Sequence, residues 1–208
     1  MSNVGHLYGS GYRTEKANNT DTYLWDPIVK QLKVLKPGSK VLDAGCGNGF
    51  FLQHLVKMGY DVSGIELDTS GVDCARKLMP NNRIENASLY DDVYGIFKEK
   101  FDAIVSLEVV EHLYDPKTFV KQMKNCLKPG GIFILSTPYH GYLKNLSIAL
   151  IGKFDRHVSP LWDGGHIKFW SKKTLTQLLV DEGFQFVRFD GAGRISYLWK
   201  SMILTSKL

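Results

Sequence analysis

Short apolar runs alternate with longer amphipathic segments along most of this chain, and no other feature restricts its fold as strongly. Such short runs are typical of buried strands, and the segments between them have helical periodicity. Repeated strand-helix units predict an α/β fold, a parallel sheet covered by helices on both faces. Ligands of such sheets bind beyond the carboxyl ends of the strands. The functional residues are therefore expected directly after strands.

The predicted elements follow one another without a repeat or a linker, which favours a single domain over residues 1–208. Strands are predicted at 40–44, 61–66, 83–87, 102–107 and 131–136, and helices at 49–58, 70–79, 90–98, 116–127 and 172–182. Asp26 and Pro27 are typical of a helix start, which predicts a further helix before the first strand. The final runs FQFVRFDG and SMILTSKL predict a terminal hairpin.

Composition excludes membrane-spanning and disulfide-rich proteins. No apolar run approaches the roughly 18 residues of a membrane span, and the N-terminal residues lack the apolar stretch of a secretion signal. Cys46, Cys74 and Cys126 are far apart and form no Cys-x-x-Cys pair, so neither a disulfide framework nor a cysteine zinc site is expected. These features together predict a soluble cytoplasmic protein.

The basic excess is small, with 26 Lys and Arg against 21 Asp and Glu, a net charge of +5. Its densest part is a stripe of lysines along one predicted helix, formed by Lys117, Lys121, Lys124 and Lys128. A stripe at this spacing is more typical of a solvated helix face than of a nucleic-acid footprint. A nucleic-acid partner is therefore not expected.

A glycine-rich loop, GCGNG, follows the first predicted strand and precedes a helix. Glycines let the backbone turn sharply and let a ligand approach it closely. Dinucleotide sites usually have the spacing Gly-x-Gly-x-x-Gly, which places a helix N-terminus under a pyrophosphate. Here the spacing is Gly-x-Gly-x-Gly, and Asp43 precedes it. A carboxylate there would repel a diphosphate and attract an ammonium group, which predicts a cationic ligand with an amino acid end.

A second carboxylate, Glu66, ends the second predicted strand 21 residues after Gly45. At this distance an acidic side chain can accept the hydroxyl groups of a ribose. Leu67 and the segment 87–89 then predict apolar walls for an adenine. The loop alone also fits an ordinary tight strand-to-helix turn, but the two added carboxylates favour a cofactor site.

The segments VLDAGCGNG, GIELD, FDAIVSLEVVEHLYDP and LKPGGIFILSTP together resemble the class I S-adenosylmethionine-dependent methyltransferases. The resemblance implies a Rossmann-like, seven-stranded, mostly parallel sheet with an antiparallel last strand and helices on both faces. It also implies S-adenosylmethionine as the cofactor, although the acidic residue often found near Ser88 is missing. The implied cofactor-binding residues are Asp43, Gly45, Cys46, Gly47, Gly49, Glu66, Leu67, Ser88, Ser106 and Leu107.

Glu108, Glu111 and His112 follow the fourth predicted strand and would share one face if this turn were helical. Two carboxylates and an imidazole suit Mg²⁺ or Mn²⁺, which would lower the pKa of a bound hydroxyl. Acidic residues also favour helix N-termini where no metal binds, so both readings stay open. Without a metal, His112 or His166 is expected to act as a general base.

The same Glu-x-x-Glu-His turn is most similar to that of the ubiquinone-biosynthesis O-methyltransferases and also resembles that of small-RNA 3′-terminal 2′-O-methyltransferases. The resemblance implies a metal held by Glu108, Glu111, His112 and His166, with His112, Glu111 and His166 as the catalytic residues. His140 and His157 also follow predicted elements near this site, but solvent-exposed loop positions fit them better.

An irregular cap insertion at 138–165 is rich in apolar and aromatic side chains, with a short helix predicted at 144–151. Irregular connections of this length are commonly functional. We therefore expect this insertion and the N-terminal segment 1–36 to cover the active site. The aromatic side chains of that segment are Tyr8, Tyr12, Tyr23 and Trp25. The apolar run 146–151 is compatible with no more than weak association with a membrane surface.

The expected activity is O-methylation of a small hydroxylated metabolite that is phenolic or quinone-precursor-like. The alternatives are a small-RNA 2′-O-methyltransferase, a nicotinamide-dependent oxidoreductase and a non-catalytic cofactor-binding module. Asp43 argues against the oxidoreductase and the small net charge argues against RNA. The acceptor molecule, the accepting atom and the oligomeric state stay open.

Overall fold

The computed structural model describes residues 21–158, 160–162 and 164–208. The predictions for Tyr8 and Tyr12, and for the first 20 residues of the N-terminal segment, lie outside the described residues. The prediction that 1–208 is a single domain therefore stays a prediction.

One sheet of seven strands organises the described chain. The strands are β1 (Lys40–Ala44), β2 (Asp61–Glu66), β3 (Arg83–Asn86), β4 (Phe101–Leu107), β5 (Leu127–Pro138), β6 (Gln185–Ala192) and β7 (Ser201–Lys207). Their order in the sheet is β3-β2-β1-β4-β5-β7-β6. The first five pair in parallel, whereas β7 runs antiparallel to both β5 and β6. The sheet implied by the resemblance and the predicted terminal hairpin are both confirmed.

Helices connect most of the strands. They are α1 (Asp21–Leu32), α2 (Phe50–Lys57), α3 (Thr69–Leu78), α4 (Val93–Phe97), α5 (Pro116–Cys126), α6 (Tyr142–Leu150), α7 (Phe154–Val158) and α8 (Lys172–Asp181), with a 3-10 helix at Val110–His112. From Ala103 to Val105, the apolar side chains of β4 alternate between two buried clusters, with Ile104 in one and Ala103 and Val105 in the other. Because successive strand residues point to opposite faces, the sheet has a core on each face.

Two predicted starts, those of the first helix and of the fifth strand, differ most from the structure, and the helix predicted at 90–98 begins only at Val93. Pro27 lies inside α1 rather than in its first turn. The helix extends upstream because Leu24 joins Ile28 and Leu32 in one buried stripe at four-residue spacing, which covers the sheet. β5 begins at Leu127 rather than at residue 131, since Leu127 pairs with β4 despite the following proline and glycines.

Side-chain caps that could be read from the sequence start several helices. The Asp68 carboxylate accepts the backbone N–H of Ser70 at 2.8 Å at the start of α3. Ser171 and Thr174 form a reciprocal capping box at the start of α8. Such caps satisfy backbone N–H groups that have no partner inside the helix. These capping residues therefore mark where α3 and α8 begin.

The predicted lysine stripe runs from α5 into β5, where Lys128 lies, and it is only partly available to a ligand. Lys124 donates to the carbonyl oxygen of Glu182 at 2.8 Å, and Lys128 donates to both oxygens of Asp102 at 2.8 Å. Lys117 and Lys121 are exposed. Half of the stripe therefore stabilises the fold. Within the described ranges, no helix has the length and apolar character needed to cross a bilayer.

Candidate functional site

The glycine loop after β1 is held against the turn after β4. Gly45, Gly47 and Gly49 all have positive φ angles, of 88°, 52° and 83°. The backbone N–H groups of Gly45 and Cys46 both donate to the carbonyl oxygen of Ile65, at 2.8 and 3.1 Å. A Cβ on Gly45 would lie 2.5 Å from Cγ2 of Val109. The cofactor loop and the predicted catalytic turn are therefore in direct contact.

Gly45→Ala should lower the free energy of unfolding by about 2–5 kcal/mol, from a left-handed backbone cost of about 1–2 kcal/mol and an overpacking cost of about 1–3 kcal/mol. Gly38→Ala is the matched control, because Gly38 has a φ of 79° but no atom within 4 Å of its Cβ position. Gly38→Ala should therefore cost only about 1–2 kcal/mol. Urea unfolding measures both losses, and adding Val109→Ala should reduce the loss caused by Gly45→Ala. Equal losses for the two alanine variants would contradict the contact with Val109.

Two carboxylates lie at the ends of neighbouring strands beside this loop. Asp43 is 3% exposed and stands two residues before Gly45. Glu66 ends β2 and accepts backbone N–H groups from Gly47 and Asp68, both at 2.9 Å. Burial raises the pKa of Glu66, and these hydrogen bonds partly offset that rise. Each Glu66 oxygen keeps a further lone pair that can accept a ligand hydroxyl.

The predicted adenine walls are present in part. Leu67 is 43% exposed, as a wall residue should be, whereas Leu89 is buried in the core and does not form a wall. The Ser88 hydroxyl accepts the backbone N–H of Tyr90 at 3.1 Å. Asn86, which sequence reasoning missed, donates to the carbonyl oxygens of Glu66 and Leu67 at 3.0 and 2.9 Å. This amide holds the ends of β2 and β3 together below the candidate ribose site.

Two other predicted cofactor residues have buried side chains. Ser106 is fully buried and its hydroxyl donates to the carbonyl oxygen of Ala44 at 2.7 Å. This hydroxyl joins β4 to β1, and the contact of Ser106 with the cofactor stays a prediction. Cys46 is buried, and burial raises the pKa of its thiol well above the usual value. Its main-chain N–H donates to Ile65 and its carbonyl oxygen accepts the N–H of Gly49 at 3.0 Å. Leu107 is partly buried at the end of β4.

The turn after β4 departs from the predicted helix. Glu108 has a φ of 54°, and the 3-10 helix begins only at Val110. Because Glu108 is not helical, its side chain does not share a face with Glu111 and His112. Its carboxylate instead accepts the hydroxyl groups of Ser136 at 2.8 Å and Ser201 at 3.1 Å. The predicted place of Glu108 in the metal set is not supported by this geometry.

Glu111, His112 and His166 do come together, and one ligand atom from each lies within 4.8 Å of the others. Glu111 is 1% exposed, and neither of its oxygens has a hydrogen-bond partner of good geometry within the described ranges, although the Thr137 hydroxyl faces this carboxyl and acts to lower its pKa. Nδ1 of His112 lies 2.9 Å from the carbonyl oxygen of Gly164. A carbonyl can only accept, so Nδ1 carries the proton and Nε2 keeps its lone pair.

The chain after the cap is fastened to this turn. The backbone N–H groups of Ile167 and Lys168 both donate to the carbonyl oxygen of Glu111, at 2.9 and 3.0 Å. These bonds bring Nε2 of His166 to 3.9 Å from Oε1 of Glu111. The ring of Trp162 lies 5.6 Å from the His112 ring and 5.4 Å from the His166 ring, measured between centroids. The cluster of Glu111, His112 and His166 is thus assembled from two distant segments and flanked by a cap tryptophan.

The electrostatics of the cluster favour a bound cation. Burial and the charge of Glu108 raise the pKa of Glu111 well above its usual value. Burial, followed by the nearby His112, lowers the pKa of His166 to about 4. A buried carboxylate without hydrogen bonds is costly unless it is neutral or paired with a cation. A divalent ion on one carboxylate and two neutral imidazoles fits these residues.

A second hydrogen-bonded chain joins three distant elements beside the cluster. The hydroxyl of Tyr23 lies 3.1 Å from that of Ser201, which in turn donates to Glu108. Burial raises the pKa of Glu108 to about 7. Ser136 and Ser201 were missed from the sequence, because nothing local marks a serine 93 residues away as a partner of Glu108.

The cap contains α6 and α7, close to the predicted helix at 144–151. Many of its large apolar side chains are exposed, so packing against the sheet does not explain them. These exposed side chains are Tyr142, Leu143, Leu146, Leu150, Ile151, Phe154, Leu161 and Trp162. The weak membrane-surface association suggested by 146–151 stays a prediction. His140 and His157 are partly buried, with ring centroids 5.3 Å apart, so their prediction as exposed loop residues is wrong.

The free energy of unfolding should fall as the pH drops from 6.5 to 4, and His140→Gln should flatten part of this dependence. Burial, with the charges of Lys144 and His157, lowers the pKa of His140 to about 4 from 6.5. Within this window the folded state binds fewer protons than the unfolded state, so acid favours unfolding. One proton gives at most about 1.4 kcal/mol per pH unit, and partial exposure reduces this. Urea unfolding at several pH values measures this dependence in the parent and in His140→Gln. If the free energy of unfolding changes equally with pH in both proteins, the assignment to His140 is refuted.

The comparison that decides the family covers most of the chain. A family model described as a methyltransferase domain matches residues 17–188. The chain belongs to the methyltransferase domain family. The resemblance identified from the motifs is confirmed, and the nicotinamide-dependent alternative is set aside.

Individual relatives of the methyltransferase are moderately similar. The ubiquinone biosynthesis O-methyltransferase of Psychrobacter arcticus is 30% identical over 155 residues, which cover 71% of this chain and 59% of the relative. The alignment thus spans about three-fifths of that relative's length.

Two solved structures share the fold. The [4+2]-cyclase SpnF has a TM-score of 0.70 at 16% identity, covering 88% of this chain and 79% of its own. Magnesium protoporphyrin IX methyltransferase from Synechocystis PCC 6803 with bound S-adenosylhomocysteine has a TM-score of 0.68 at 20% identity, covering 97% and 90%. At such identities the likeness shows the fold alone, and a cyclase on this fold illustrates that the fold does not set the reaction.

Proposed function

We propose that this chain transfers a methyl group from S-adenosylmethionine to an oxygen of a small hydroxylated metabolite that is phenolic or quinone-precursor-like. The observation that carries the proposal is the cluster of Glu111, His112 and His166 beside the glycine loop. Deprotonation of a hydroxyl next to a methyl donor is the chemistry such a cluster suits. The name of the Psychrobacter arcticus relative, which refers to ubiquinone biosynthesis, supports an aromatic hydroxyl as the acceptor.

The proposed cofactor site follows the carboxyl ends of β1 to β4. Asp43 would receive the ammonium group of the methionine part, and Glu66 the two ribose hydroxyls. The backbone of the glycine loop would line the methionine part, with Leu107 at the end of β4. Leu67 and Ser88 would flank the adenine. The placement of both carboxylates beside glycines of positive φ supports these roles.

The proposed base is formed by the cluster itself. Nε2 of His112 carries a lone pair, and the Glu111 carboxylate has no hydrogen bond to compete with a substrate proton. Either group can accept the proton of a hydroxyl held between them. A divalent ion, when bound by Glu111, His112 and His166, would lower the pKa of that hydroxyl. One carboxylate and two imidazoles favour Mn²⁺ or another borderline ion over Mg²⁺.

Methyl transfer is an in-line displacement in which the bond from oxygen to carbon forms as the bond from carbon to sulfur breaks. The negative oxygen and the positive sulfonium neutralise each other, so a dry and aligned site contributes most. Val109 holds the turn against the glycine loop, which fixes the distance between donor and base. Trp162 and the cap would exclude water and receive the apolar body of the substrate.

The small-RNA alternative has less support. RNA binding draws on several free lysines or arginines per site, whereas Lys124 and Lys128 are engaged within the fold. The cap beside the cluster presents apolar rather than basic side chains. These features favour a small apolar acceptor.

The proposal is tested by release of S-adenosylhomocysteine from chelator-treated protein. Catechol and adenosine serve as acceptor probes, each with added Mn²⁺, Mg²⁺ or chelator. Turnover with catechol that is higher with Mn²⁺ than with Mg²⁺ is expected. Turnover with adenosine but not with catechol would refute the proposal. If catechol turnover in chelator equals that with added Mn²⁺, Glu111 and His112 remain the proposed base but no metal takes part.

A further inference from the structure

A second group of titratable side chains lies under the cap, outside the residues proposed for deprotonation. It consists of His140, Lys144 and His157, and we call it the basic cluster. The rings of His140 and His157 are 5.3 Å apart, and Phe169 packs edge-on against His140 at 5.0 Å. These side chains come from the loop after β5, from α6 and from α7. All three side chains therefore belong to the cap insertion at 138–165.

Lys144 is buried and forms no ion pair within the described ranges. Its side chain is on a residue only 6% exposed, and its ammonium donates to the carbonyl oxygens of Tyr139 at 2.8 Å and Lys200 at 3.3 Å. The third ammonium proton is left for another acceptor. In the part of the chain that the structure describes, no carboxylate oxygen lies within 4 Å of this ammonium. A buried charge without a partner is costly unless a ligand supplies one.

His157 also has an unused polar atom. Its Nε2 atom is buried and has no hydrogen-bond partner within the described ranges. Burial lowers the pKa of His157, and the positive charges of Lys144 and Arg194 act in the same direction. Burial and Arg194 also lower the pKa of Lys144 to about 8. The acidic group facing Lys144 is Glu108, whose oxygens already accept from two serine hydroxyls.

The basic cluster adjoins the proposed deprotonation site. The charge of His157 is close enough to lower the pKa of His166, and that of His166 acts likewise on His140. A substrate whose hydroxyl lies at Glu111 and His112 would therefore place another part of its ring beside these donors. An anionic group there would face the charge and the unused proton of Lys144 and the unpartnered Nε2 atom of His157.

We propose that the basic cluster binds a carboxylate carried by the methyl acceptor, so that the substrate is a hydroxylated aromatic acid. This inference rests on the proposed function, because it takes the hydroxyl of the same molecule to lie at Glu111. Lys144 supplies the charge and its third proton, and His157 can donate from Nε2 in the neutral tautomer that carries its proton on this atom. Phe169 supports the ring of His140 beside them.

Calorimetry on the full chain saturated with S-adenosylhomocysteine tests this directly. The two probes are 3,4-dihydroxybenzoate and catechol, which differ only in the carboxylate. A charge-assisted hydrogen bond predicts that the acid binds about 10–100-fold more tightly. Lys144→Met should reduce this preference to about threefold or less, whereas Lys153→Met, at an exposed lysine of the same cap, should leave it unchanged. His157→Gln provides a second variant if Lys144→Met does not fold.

Equal affinity for the two probes, or binding of neither, would overturn the inference, as would a preference that survives both variants. The proposed function fails separately. Methylation of catechol without a preference for the acid would refute the carboxylate site alone. Preferred binding of the acid without methylation of either probe would instead refute the proposed O-methylation of phenols.

Discussion

Glu111→Gln is expected to lower kcat/KM for the acceptor by about 10²–10⁴-fold, the usual contribution of a positioned acid or base. The substitution keeps the shape of the side chain but removes the charge that a substrate proton or a metal ion needs. Affinity for S-adenosylmethionine should change less than about twofold, because Glu111 lies after β4 rather than in the glycine loop. The loss is therefore expected in the chemical step.

The same variant should be at least as stable as the parent protein, since its carboxylate is buried without a hydrogen bond. Unfolding in urea measures this, and thermal unfolding with Mn²⁺ should show stabilisation of the parent but not of the variant. Glu182→Gln, at the end of α8, is the matched control and should retain full turnover. A Glu111→Gln enzyme with more than a tenth of the parent turnover would remove Glu111 from the mechanism.

Asp43→Asn is expected to weaken S-adenosylmethionine binding by about 10–100-fold, which corresponds to the loss of one charge-assisted hydrogen bond. Asp43 is almost fully buried at the end of β1, so solvent does not screen its charge. An amide of the same size keeps the packing but cannot attract an ammonium group. The effect should be confined to ligands that carry the amino acid end.

Adenosine gives the discriminating comparison, because it has the ribose and adenine but no ammonium. Calorimetry should show unchanged adenosine affinity in Asp43→Asn and reduced affinity in Glu66→Gln. Asp61→Asn, at the opposite end of β2, is the control and should bind both ligands normally. If Asp43→Asn binds S-adenosylmethionine as tightly as the parent does, the predicted cationic ligand is not held by Asp43.

Elements with a strong local pattern could be predicted from the sequence. The bounds predicted for β1 and β2 match the structure, because short buried apolar runs end at glycine or acidic residues. Asp43 and Glu66 could be predicted as neighbours in one site, because the carboxyl ends of parallel strands lie at the same edge of a sheet. The start of α1 was misplaced because a proline in the first turn and a proline within a helix look alike until the buried face is known.

The site after β4 could be predicted only in part. The motif identified Glu111 and His112 as neighbours. The positive φ of Glu108, however, directs its carboxylate to the hydroxyl groups of Ser136 and Ser201. His166 was expected from the resemblance, whereas its contact with Glu111 depends on backbone bonds between segments more than 50 residues apart. No local periodicity encodes such a contact.

The sequence by itself determined the parallel sheet, the glycine loop and the acidic residues after its strands, because each depends on neighbouring residues and on strand or helix periodicity. Only the tertiary structure decided which side chains share the deprotonation site and which form the basic cluster. Those groupings depend on how the cap, β7 and the turn after β4 pack together. Packing between distant segments sets the distances, the burial and hence the pKa values on which the chemistry rests.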